Sequence, residues 1–84
     1  MTMHMFIRKS DGAPVCAVRY DGPASVDLIM DLIGSMGVNN TEIGLLTPYG
    51  YVSKGSWVVK GRRDTALIVS NDVFYAKFTL PTFR

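Results

Sequence analysis

The first twenty residues read as two short strands joined by a turn. Met3 to Arg8 is an apolar-rich strand, and Lys9-Ser10-Asp11-Gly12 is turn chemistry, because Asp and Gly accept tight or positive-φ backbone. Pro14 to Tyr20 then alternates, with Val15, Ala17 and Arg19 on one side and Cys16, Val18 and Tyr20 on the other. Asp21-Gly22-Pro23 ends this strand and opens a helix, with Pro23 in the first turn where its missing N–H is not needed. The spacing predicts that helix from about Pro23 to Met36. Val26, Ile29, Met30 and Ile33, with Leu32 and Met36 beside them, form one wide stripe for a sheet, and Asp27 and Asp31 take the opposite, solvated face. Gly37 is the expected left-handed stop, with Gly34 just before it.

The second half predicts a meander. Glu42 to Thr47 is strand-like, Pro48-Tyr49-Gly50 turns, Tyr51 to Ser53 resumes, Lys54-Gly55 turns again, and Ser56 to Lys60 is a strong strand. Gly61-Arg62-Arg63-Asp64 reads as a hairpin loop into Thr65 to Ser70. Asn71-Asp72 starts a tight or single helical turn through Phe74, and Ala76 to Leu80 is the last predicted strand. Strands grouped around one helix, with no βαβ alternation, predict an α+β fold: one helix packed on a curved, mostly antiparallel, half-barrel-like sheet of about five or six short strands.

Length and composition sharpen this picture. The chain has 84 residues, so residues 1–84 are expected to form a single domain with a small core and thin stability. A hydrophobic share of 48% against 19% charged residues is more apolar than so short a chain needs, and part of that excess is expected to meet a partner or a second copy. A homo-oligomer is therefore expected, with the Met-rich start around His4 as its open sheet edge. No apolar run approaches the ~20 residues that span a bilayer, and no secretory leader is evident, so the expected setting is cytoplasmic, with no membrane partner. In that setting the sequon Asn39-Asn40-Thr41 is idle.

Charge is uneven along the chain. Residues 21 to 53 carry Asp21, Asp27, Asp31 and Glu42 and no base, whereas the last part carries Lys54, Lys60, Arg62, Arg63, Lys77 and Arg84 against Asp64 and Asp72. The net charge of +2 conceals this polarity, which can steer association.

The inventory for catalysis is sparse. Cys16 has no second cysteine and reads as a small buried hydrophobe, and His4 is a lone imidazole, so metal or cofactor binding is not expected. Phosphate-loop and dinucleotide-binding glycine patterns are absent, and Asp27 and Asp31 lie on a solvated face where burial cannot tune them. The expectation is a protein that is not an enzyme. The most informative local feature is the basic loop: Lys60, Arg62 and Arg63, with Lys54 one hairpin away and Tyr49, Tyr51 and Trp57 close in sequence, are candidate binding residues that could clamp phosphates and stack a base. The competing reading of Trp57, as a core residue alternating with Val59, is preferred.

The order Ala17-Val18-Arg19-Tyr20-Asp21-Gly22, one helix ending in Gly, Gly55-Ser56-Trp57-Val58-Val59-Lys60-Gly61, and then Asp72-Val73-Phe74 with Phe78 resembles a family of short bacteriophage and prophage proteins of unassigned function. Those carry a Gly-Asp-Trp-Ile-Ile-Lys-Gly-like strand. Here Ser56 stands at the Asp, and Arg62-Arg63-Asp64 stands where the family tends to have a Gly-Glu turn, so no acidic role carries over. The resemblance implies phage origin and a host cytoplasm, and implies no chemistry. Three functions follow as expectations, in order. The first is host takeover or counter-defence by docking on and inhibiting a host protein. The second is a sponge for a phosphate-bearing nucleotide immune signal, and the third, ranked last because +2 is a weak electrostatic footprint, is nucleic-acid binding.

Overall fold

The computed structural model describes residues 4–42, 44–61 and 66–80, apart from the side chain of His4. The described elements are β1 (His4–Arg8), β2 (Pro14–Arg19), α1 (Pro23–Ile33), β3 (Asn39–Asn40), β4 (Leu45–Thr47), β5 (Gly50–Val52), β6 (Trp57–Gly61), β7 (Leu67–Val69), α2 (Asn71–Lys77) and β8 (Phe78–Thr79). Five strands in the order β7-β6-β2-β1-β8 form an antiparallel sheet curled into a half-barrel, and β3-β4-β5 form a second, smaller sheet. The α+β expectation holds. Two features differ from it: the described residues contain two helices instead of one, and eight strands in two sheets instead of five or six in one.

Cross-strand register explains why β2 and β6 are apolar on both faces. Ala17 sits opposite Val59 and Arg19 opposite Trp57, while the intervening Val18 faces Val58. Trp57 and Val59 therefore point to one face of the sheet and Val58 and Lys60 to the other. The first face holds a core of Phe6, Val15, Ala17, Trp57, Val59, Val69, Phe74 and Phe78, covered by α2. The second holds Val18, Tyr20, Val58 and Ala66 against α1 and the small sheet, where Ile29, Leu45 and Val52 are completely buried.

The predicted stripe of α1 is present: Val26 and Ile29 are buried, Met30, Leu32 and Ile33 pack beside them, and Asp27 and Asp31 are exposed. Its end is earlier than predicted. The helix stops at Ile33, with Gly34 at φ 87° and ψ 162°, a backbone region almost confined to glycine, and its N–H bonded to Met30 at 2.7 Å. Met36 is therefore outside the helix and 90% exposed instead of on the stripe. Gly37, the expected stop, serves a different contact: a Cβ there would lie 2.9 Å from Pro48 Cγ, so its bareness lets the loop close onto the β4–β5 turn.

The region from Asn71 onward is the main departure. The expected tight or single helical turn through Phe74 extends into α2 as far as Lys77, and of the strand expected over Ala76 to Leu80 only Phe78 and Thr79 remain. Ser70 caps this helix, its Oγ accepting from the Val73 N–H at 3.4 Å, with Asp72 in the first turn and Lys77 in the last, each complementing the helix dipole. The edge strands of the large sheet are β7 and β8, and β8 covers β1 only at Ile7 and Arg8; of the Met-rich start expected as an open edge, His4 to Phe6 have no β8 partner and residues 1–3 lie outside the described residues.

Candidate functional site

Of the residues expected to bind, Arg62 and Arg63 lie outside the described residues. The others do not converge on one site. Trp57 is 7% exposed, stacked on Phe74 with its Nε1–H donating to Asn71 Oδ1 at 3.0 Å, so its indole is closed to a base. Lys60 projects from the opposite face of β6, half-buried beside Cys16 in the cross-strand register. Tyr49 and Tyr51 are exposed on the β4–β5 hairpin, and Lys54 is exposed in the turn that follows β5. Lys60 lines a groove of about 490 Å³ whose walls include Met5, Pro14, Cys16 and Leu32.

The larger concavity is made by residues that the sequence did not bring together. It is an open groove of about 720 Å³ at the C-terminal end of α2. Val59 and Gly61 come from β6, Ala66 and Leu67 from the start of β7, Ala76, Lys77 and Phe78 from the α2–β8 junction, and Arg8, Lys9 and Ser10 from the end of β1. The apolar part has an enclosed base of Val59, Ala66 and Phe78, beside which Leu67 stands 51% exposed. Among the described residues, every charged residue lining the groove is a cation, namely Arg8, Lys9 and Lys77.

Local hydrogen bonds hold these cations in place. The Lys9 backbone N–H donates to the Lys77 carbonyl at 2.9 Å and the Lys9 Nζ to the Tyr75 carbonyl at 3.1 Å, which ties the turn after β1 to the carbonyl end of α2. Arg8 pairs with Asp11 at 3.4 Å, and Asp11 Oδ1 in turn accepts from the Ala13 N–H at 3.0 Å, closing the turn. Lys77 makes no ion pair among the described residues. The groove thus presents a cationic rim beside an aliphatic surface, an arrangement suited to holding an anionic group next to an apolar one.

Among the described residues, no three His, Cys, Asp or Glu side chains meet as a metal site would require. No helix among them is long and apolar enough to cross a membrane. Comparison with known proteins returned no match: no family model, no curated protein and no solved structure matches this chain.

Proposed function

We propose that the chain is a non-catalytic binding protein that docks on a partner protein and inhibits it, using the groove at the end of α2. The observation that carries this reading is the pairing of a projecting, half-exposed Leu67 with an all-cation rim of Arg8, Lys9 and Lys77 around one open concavity. Exposed aliphatic surface next to a cationic rim is the composition of a docking patch, where the apolar anchor supplies affinity and the charges supply orientation. Joined to the resemblance to short bacteriophage and prophage proteins, the reading takes the partner to be a bacterial host protein and the consequence to be host takeover or counter-defence.

A nucleotide sponge ranks behind it. That function needs an open ring beside its cations, whereas the Trp57 indole is enclosed and Phe78, the one aromatic among the described residues of the groove wall, is 5% exposed. The test is affinity capture from bacterial cells expressing the tagged chain, run in parallel with Leu67→Asp and Lys77→Glu baits. Docking predicts one stoichiometric host protein on the wild-type bait that is lost from both variants. Equal recovery on all three baits, or no stoichiometric protein on the wild type, contradicts it.

A further inference from the structure

The geometry points to an acidic, extended peptide segment carrying an apolar side chain as the occupant of the α2 groove, an inference that rests on the docking reading above. Three observations define this occupant. The first is charge: among the described residues Arg8, Lys9 and Lys77 line the groove and no carboxylate does, so the complementary ligand is anionic. Asp11 engages Arg8, and Lys9 is held by the Tyr75 carbonyl, which leaves Lys77 as the cation with the most freedom to pair with an incoming acid.

The second is the nature of the apolar surface. Leu67 and Ala76 are its exposed apolar members and Phe78 is a buried part of the wall, so the described residues offer an aliphatic seat for a Leu- or Phe-like side chain and no open ring for a nucleobase. A polyanion without apolar groups would leave that seat unfilled.

The third is topology. The large sheet ends at β7 on one side and β8 on the other, and the groove is lined by Leu67 from β7 and Phe78 from β8. Both edge strands of the half-barrel therefore contribute to its wall. Edge strands carry backbone donors and acceptors that an extended segment can pair with, in the manner of an added strand.

The experiment uses the 15N-labelled full chain and titrates short synthetic peptides while amide shifts are followed. One peptide alternates Glu and Asp with a central Leu and Phe, a second replaces the acids by Lys, a third replaces Leu and Phe by Ser, and an oligo-thymidine serves as the nucleic-acid probe. The expected result is saturable shifts at Leu67, Ala76, Lys77 and Phe78 with the first peptide alone, weakened about tenfold by Lys77→Glu and several-fold between about 50 and about 300 mM salt. Equal binding of the Lys or Ser peptide, tighter binding of the oligonucleotide, or no shift at about 1 mM acidic peptide overturns the inference. If these peptides fail while host-protein capture still depends on Leu67, only the ligand chemistry falls. If capture is also independent of Leu67, the docking reading falls with it.

Discussion

The indole of Trp57 lies flat on the ring of Phe74, centroids 3.8 Å apart and planes 4° from parallel. Overlapped faces repel through their quadrupoles, and Phe6 offsets this by standing perpendicular to both rings in edge-to-face contact, at 84° to Trp57 and 88° to Phe74. Phe78 stacks on Phe74 with centroids 5.2 Å apart. This aromatic cluster fastens α2 to β6, and α2 in turn positions Lys77 and Phe78 at the groove.

Phe74 is completely buried, so Phe74→Ala is expected to cost about 3–5 kcal/mol. A domain of this length holds on the order of 0.05–0.15 kcal/mol per residue, which makes that loss close to the whole stability at the lower end. Urea denaturation followed by far-UV circular dichroism should show a chain largely unfolded without denaturant, while Phe74→Leu remains folded with a lower midpoint.

Trp57 is the single tryptophan, and its emission reports this core directly. Blue-shifted fluorescence that is poorly quenched by acrylamide is expected, because the ring is enclosed and its Nε1–H is bonded to Asn71. Asn71→Leu removes that acceptor, leaves a buried donor unsatisfied and is expected to lower stability by about 1–3 kcal/mol in the same denaturation assay. Nucleotides should leave the emission unchanged.

Gly34 and Gly37 separate two kinds of glycine requirement. Gly34→Ala meets no neighbour within 4 Å, so its cost is backbone strain alone, about 1–3 kcal/mol. Gly37→Ala also has positive φ, at 77°, and in addition drives a Cβ against Pro48. Thermal melts should therefore rank Gly37→Ala as the more destabilised of the two.

Much of this fold was legible because burial imposes a period. Alternation in Pro14 to Tyr20 and the three-and-four spacing of Val26, Ile29 and Ile33 located β2 and α1, and Asp11-Gly12 located the turn between β1 and β2. Of the second helix only a tight or single helical turn through Phe74 was legible, and its extension to Lys77 was not, because Val73, Phe74 and Tyr75 favour strands on intrinsic preference. Its helicity comes from the Ser70 cap and from Phe74 packing against Trp57, a partner 17 positions away in sequence by simple subtraction. The two-residue strand Asn39–Asn40 carries no apolar signal at all; it is fixed by pairing with β4 and by the Tyr20 hydroxyl, 3.3 Å from Asn40 Oδ1.

The site was less legible than the fold. Closeness in sequence suggested that Trp57 and Lys60 act together, yet three residues along a strand place them on opposite faces. Arg8, Lys9 and Lys77 are joined by pairing of β1 with β8, a long-range contact for which the local pattern carries no mark; the Lys9 to Tyr75 bond spans 66 residues.

Site-specific photo-crosslinking tests the central claim most directly. A photoreactive amino acid is placed at Leu67 in one chain and at Asp27, on the exposed face of α1, in another, and each is irradiated in cells containing the captured partner. The groove account predicts a covalent adduct from position 67 and none from position 27. An adduct from position 27 with none from position 67 would place the working surface on α1 and contradict it.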